Sequence, residues 1–186
     1  MAYNVPSYTT EKLSFGPGVV YIGAAGETPV TDIGAVDEGM SLTHSVELLD
    51  ILQGNPRQLI ESLRLSESVA FAFSGFEWNI DNLPELLGAG QVTGTDEFGY
   101  GGDLRSIHCS LKCVHQMPPA AGATLGGTVI IEIWDSRAAR DMAITFGMDL
   151  HNFPVTFNAI NTTTDWGGSA LAEGVQLYRM TIQQAP

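Results

Sequence analysis

The sequence predicts a mainly β protein: a β-sandwich or barrel of about eight strands with one short α-helix and a long protruding β-hairpin. Three observations carry this. Apolar and polar residues alternate over short runs, as half-buried strands require. Turn signals recur roughly every ten residues. The 21 glycines and 9 prolines punctuate the chain without reaching a low-complexity composition.

Taken in order, residues 1–14 hold Tyr3, Val5, Pro6 and Tyr8 among polar residues. They read as an extended arm without a core of its own, with a frayed terminus as the plainer alternative. Residues 15–186 then form one domain. Val19-Val20-Tyr21-Ile22, framed by Gly18 and Gly23, predicts the first strand, and a turn-rich connection with a short strand near Ile33 follows. From Ser41, Leu42, His44, Val46 and Leu48 alternate with Thr43, Ser45 and Glu47. Gln53-Gly54-Asn55-Pro56 is a turn signal, so residues of about 41–65 read as a hairpin. A helix competes for the return limb, capped by Asn55 with Pro56 at its first position. The hairpin is the preferred reading.

Val69, Phe71 and Phe73 mark another strand. Asp81 is placed to cap a helix running to Leu87, with Pro84 in its first turn and Gly88 and Gly90 ending it. Residues 91–103 read as an exposed glycine-rich loop. A strand from Arg105 to Gln116 is expected to stop at Met117-Pro118-Pro119. Val129 to Trp134 is apolar on both faces and therefore central. Residues 135–146 stay unassigned. Pro154 to Ile160 is a strand with Val155, Phe157 and Ala159 on one side, residues 161–174 form a polar loop, and Val175 to Ile182 is the last strand.

The chain has 186 residues, 44% of them hydrophobic and 16% charged. That apolar content excludes generic disorder. Twenty-one acidic residues against 8 basic give a formal charge of −13, which disfavours an electrostatic nucleic-acid binder and an anionic membrane surface. No apolar run approaches the ~20 residues of a membrane span. Lys12 is followed by no clean apolar segment, so no signal peptide is expected and folding in cytoplasm is.

No chemistry emerges from motifs. P-loop, zincin and nucleophile-elbow patterns are absent, so an enzyme is not expected, and neither is a cofactor. Cys109 and Cys113 lie in one predicted strand, ~13 Å apart, too far for a disulfide. They read as reduced, packed on one sheet face. His108 faces away from Cys109, Cys113 and His115, and those three spread along a line, so no metal centre is predicted. Asp37-Glu38 and Asp96-Glu97 read as solvated loop pairs. Asp149 and His151 could orient one another, but no nucleophile accompanies them. Trp78, Trp134 and Trp166 are scattered in sequence, unlike the clustered aromatics of a carbohydrate-binding sandwich.

Uncompensated apolar surface does stand out. The hairpin carries Leu48, Leu49, Ile51, Leu52, Leu59, Ile60, Leu63 and Leu65. A two-stranded ribbon cannot bury both faces alone, and exposed patches of this kind mark interfaces. Folding back on its own core is the equal alternative. Tyr3, Val5 and Tyr8 on the arm are candidate joints of the same kind.

The order of these elements resembles the bacteriophage major tail tube proteins of long non-contractile tails. Gly18-Val19-Val20-Tyr21-Ile22-Gly23 is similar to that family's opening strand, continued by Thr31-Asp32-Ile33-Gly34. Ser41 to Leu48 leads into a hairpin similar to its protruding loop. Phe71-Ala72-Phe73, then Asp81-Asn82-Leu83, resembles its strand–helix unit. His115-Gln116-Met117-Pro118 and Thr128 to Trp134 are similar to its central strands, and Phe153 to Phe157 with Tyr178 to Thr181 to its closing pair. The resemblance spans roughly residues 15–183. It implies a sandwich subunit forming hexameric rings that stack into a hollow tube for DNA in the virion. It also implies partners such as tape measure, tail tip and terminator proteins, and synthesis in the bacterial host cytoplasm. Some relatives append a decoration domain, for which a chain ending at Pro186 leaves no room. Tube proteins of contractile tails or type VI secretion devices, related in fold, are the nearest alternative. A β-sandwich binding module is the alternative from another class.

Overall fold

The computed structural model describes residues 18–34, 36, 40–75, 79–102, 105–119, 126–139 and 153–183. Its elements are β1 (Val19–Ala24), β2 (Thr31–Asp32), β3 (Ser41–Gln53), β4 (Gln58–Gly75), a 3-10 turn (Ile80–Asn82), α1 (Leu83–Leu87), β5 (Gln91–Thr93), β6 (Glu97–Gly99), β7 (His108–Pro119), β8 (Gly126–Ala138), β9 (Phe153–Ala159) and β10 (Arg179–Gln183). The fold is mainly β, with one short α-helix, as expected. Eight strands join in one antiparallel sheet ordered β2-β1-β7-β8-β9-β4-β3, with β10 also pairing β8, while β5 and β6 form a separate hairpin.

Alternation places the core. Val20 and Ile22 of β1, Val69, Phe71 and Phe73 of β4, Cys109, Leu111 and Cys113 of β7, and Val155 and Phe157 of β9 are all buried. Each set is spaced by two, so each lines one face of its strand. Phe71, Phe73 and Phe157 form a ring ladder, with centroids 5.7 and 6.0 Å apart. Leu86 of α1 and Ile33 complete the cluster. In β8, consecutive residues Ile133 and Trp134 are both buried, which fits the central strand read from its two apolar faces. The Trp134 indole N–H donates to the Val175 carbonyl at 2.9 Å, holding residues approaching β10 over that second face.

Buried polar groups are matched. The Ser110 hydroxyl lies 2.6 Å from the Glu27 carbonyl and 3.0 Å from that of Ala24, pinning the connection after β1. Ser136 donates to the Cys109 carbonyl at 2.8 Å. Both serines are fully buried, where an unmade bond would be costly.

Several local expectations are corrected. The helix return limb does not form: residues after Pro56 enter β4, which runs unbroken for 18 residues into the Val69–Phe73 strand. Apolar burial on the body and cross-strand pairing to β3 outweigh the Asn-Pro cap signal. Asp81 is not the cap. The Asn79 side chain accepts from the Asp81 N–H at 3.1 Å, capping the 3-10 turn that leads into α1, and Gly88 closes α1 at φ +70°. Residues expected to be loop instead form β5 and β6, with Val92 opposite Phe98. β7 begins at His108 and runs through Pro119, beyond the expected stop, because β8 pairs with it as far as Pro119↔Gly126. Residues 135–138 belong to β8. β10 starts only at Arg179, since Val175 is engaged by Trp134 instead.

Candidate functional site

Residues 43–68 are exposed without interruption. They are the outer parts of β3 and β4 and the turn between them. β4 pairs β9 only from Ala70 to Gly75, so past Ala70 the two strands leave the sheet as a free ribbon. Eleven residues, Thr43 to Gln53, rise by about 35 Å at ~3.3 Å each. The ribbon does not fold back on the core.

Its register fixes which side chains share a face. Leu49 faces Leu63 and Ile51 faces Glu61, while Leu48 faces Arg64 and Leu52 faces Leu59. Successive residues of β3 alternate faces, so Leu49 and Ile51 lie on one side and Val46, Leu48 and Leu52 on the other. Nine large apolar side chains of the ribbon are exposed: Val46, Leu48, Leu49, Ile51, Leu52, Leu59, Ile60, Leu63 and Leu65. Polar rungs separate them. Ser62 donates to Asp50 at 2.5 Å and Ser66 to Glu47 at 2.9 Å. All seven sequence-predicted interface residues, Leu48, Leu49, Ile51, Leu52, Leu59, Ile60 and Leu63, therefore stand together on this one element. Tyr3, Val5 and Tyr8 lie outside the described residues.

The ribbon's two edges differ. The register shifts between Glu47 and Leu48 and between Ile51 and Leu52, and both extra residues, Leu65 and Ile60, sit on β4. Bulges kink and blunt an edge. β3 carries no extra residue, no proline and no lysine, and it is the terminal strand of the sheet order. Its outer hydrogen-bonding row is therefore the regular one. Alternation alone could not locate the bulges, because apolar residues occupy both faces and no parity break is visible.

At the ribbon's root, Glu67 binds two cations. His44 Nε2 lies 2.6 Å from one carboxylate oxygen and Arg64 Nη1 2.8 Å from the other. Partial desolvation pushes the Glu67 carboxyl up, but the hydrogen bonds and charges of Arg64 and His44 outweigh it and hold it below the usual glutamate value. The His44 ring meets Tyr178 edge-on, with centroids 5.9 Å apart. These groups border a cleft of about 310 Å³ closed by Asn161, Gly174, Gln176 and Leu177.

The other chemical candidates do not gather. His108 Nδ1 lies 3.1 Å from Asp135 Oδ1 at an exposed position, away from the free, buried Cys109 and Cys113. Among the described residues no three His, Cys, Asp or Glu side chains converge as for a metal. Burial pushes the Cys109 thiol up to about 12 and the Cys113 thiol up to about 11, so neither is a ready nucleophile. Asp37-Glu38, Asp149, His151 and Trp78 lie outside the described residues. Two tryptophans that are distant in sequence do meet, correcting their expected scatter. Trp134 and Trp166 pack edge to face at 4.8 Å, and the Arg179 guanidinium sits 4.8 Å from the Trp134 ring centre. With Trp134 only 2% exposed, the pair is packing rather than an open platform.

No helix among the described residues is long and apolar enough to cross a membrane. The chain matches no protein-family model and no curated protein sequence.

Proposed function

We propose that this protein is a self-assembling structural subunit, the major tail tube protein of a long-tailed bacteriophage, whose copies form hexameric rings stacked into a hollow tube. The observation that carries the reading is the ribbon of residues 43–68, exposed and apolar on both faces. A lone ribbon of this kind is marginal in water. Identical neighbours that cover both faces and complete the regular β3 edge remove that cost. A ribbon that seats on a different patch of the next copy makes a head-to-tail contact, and such contacts build rings and filaments.

The charge balance supports the same reading. Lys and Arg contacts to phosphate strengthen DNA binding by counterion release. A conduit needs the reverse, and a chain of formal charge −13 supplies acidic side chains for a lumen that repels the DNA it conducts without binding it. In this reading the protein resides in the virion and meets tape measure, tail tip and terminator proteins at the tube's ends.

Negative-stain microscopy of the purified protein over a concentration series tests it. Rings or tubes growing with concentration are the expected result. A chain that stays monomeric up to millimolar concentration, with and without virion components, would sink the reading. In an assembled tube, a neutral or basic lumen would remove the conduit role while leaving the assembly.

A further inference from the structure

The ribbon is joined to the body through a short chain of side chains. Tyr178 packs against the core cluster. Its ring meets His44 edge-on. His44, at 2.6 Å, holds Glu67 on the other strand, and Arg64 holds the far side of that carboxylate at 2.8 Å. His44 stands opposite Val69, the last buried residue of β4 before the ribbon leaves, while Glu67 stands opposite Val46, one step into the ribbon. The contact therefore braces the exit point itself, and a cleft of about 310 Å³ beside it leaves room for movement.

We propose that His44, Glu67 and Tyr178 form a latch that sets how firmly the ribbon is held against the body, closed when the His44 imidazole carries a charge. The groups facing His44 are few. From β4 come Glu67 and, beyond it, Arg64. From the segment before β10 come Tyr178 and the neutral Gln176, and Asn161 borders the same cleft. Charging the imidazole turns the Glu67 contact into a charge-assisted bond, roughly twice as strong as a neutral one. It also leaves Arg64 as the second of two cations on one carboxylate, so both oxygens stay occupied. When the imidazole is neutral, Arg64 alone neutralises Glu67, and Glu67 no longer needs His44. Histidines in general change charge between pH 5 and 8, and Glu67 stays ionised through that window because its partners hold it below its usual value. The latch is therefore closed in mildly acidic solution and loosened in mildly alkaline solution.

The latch is a property of the single chain. Its consequence, that ribbon pose and so assembly follow pH, rests on the tube reading. Spin labels at Gln53→Cys on the ribbon and Asn158→Cys on β9 test the latch on dilute monomer. The native cysteines are buried and leave labelling selective. The expected result is one narrow distance distribution at pH 5.5. At pH 8.5 the displaced population should grow about two- to five-fold, the scale of one exposed ion pair. His44→Gln, which keeps a neutral donor, should give the same distribution at both pH values. A wild-type distribution that ignores pH overturns the latch, and so does a His44→Gln chain that keeps the full pH response. Neither outcome touches the tube reading, which fails only if no concentration of protein assembles.

Discussion

Leu49 stands directly opposite Leu63 across the ribbon, and the two remain 48% and 43% exposed. A cross-strand leucine pair normally forms the inside of a hairpin's packed face. Here it is on the outside. In a chain meant to stay alone, that pair would be an aggregation liability.

Leu49→Asp combined with Ile51→Asp should separate assembly from folding. Both side chains are exposed and touch no core residue, so the change in folding stability should stay within about 1 kcal/mol. Assembly should be lost, because two carboxylates would have to be desolvated in the contact. Circular dichroism melting and sedimentation velocity measure the two effects on one sample. A collapse of the melting transition would return this segment to the core.

The edge asymmetry makes a separable prediction. Lysine on an edge strand discourages strand addition. Leu48→Lys on β3 should therefore slow assembly much more than Leu65→Lys on β4, where the bulge already disrupts the row. Light-scattering growth curves of the two variants give the comparison. Equal inhibition would mean that faces, not the β3 edge, make the contact.

How much of this is legible in the sequence depends on which interactions decide each feature. The apolar triplets Val69-Phe71-Phe73 and Cys109-Leu111-Cys113 are readable because a period of two is a local property. The ribbon's greasy residues are readable for the same reason, but their exposure is not. Whether Leu49 and Leu63 meet the core or solvent depends on where β9 stops pairing β4, at Ala70, which no local pattern encodes. The Asn55-Pro56 signal points to a helix as well as a turn, and only pairing with β3 decides it. His44 looks like an ordinary strand residue. Its partner Glu67 lies on the other strand of the ribbon, and the cross-strand register that joins them is shifted farther out by an unseen bulge. The Trp134–Trp166 contact is hidden because the whole of β9 and the connection after it separate the two rings in sequence.

Arg179 ties that second face together. Its guanidinium reaches Glu132 at 2.6 Å, and the Glu132 side chain is only 12% exposed. Arg179→Ala should cost about 1–3 kcal/mol, since it strands a largely buried carboxylate and removes a cation from the Trp134 ring. Adding Glu132→Gln should recover part of the loss, because a neutral amide tolerates burial better. Urea denaturation of the three variants closes the cycle. If the double variant is as unstable as Arg179→Ala alone, the packing of the Arg179 stem over Trp134 matters more to stability than the ion pair does.

The two thiols make a prediction at high pH. Burial raises Cys109 to about 12 and Cys113 to about 11, from an ordinary 9.0. A raised acid is protonated in the folded chain at pH values where the unfolded chain has already lost its proton. Its contribution to stability is thus complete below pH ~9 and drains as pH rises toward the folded value, by about 1 kcal/mol per thiol for each pH unit. Other groups titrate there too, so the relevant quantity is a difference between chains. Wild type should lose stability faster than the Cys109→Ala, Cys113→Ala variant between pH 9 and 10.5 in urea titrations. Below pH 9 the variant should be the weaker of the two, because each truncation leaves a small void. At pH 8 a thiol reagent should stay unreactive until the chain unfolds. Prompt reaction of either cysteine in the folded protein would mean that the β1–β7–β8 layer opens far more readily than its packing implies.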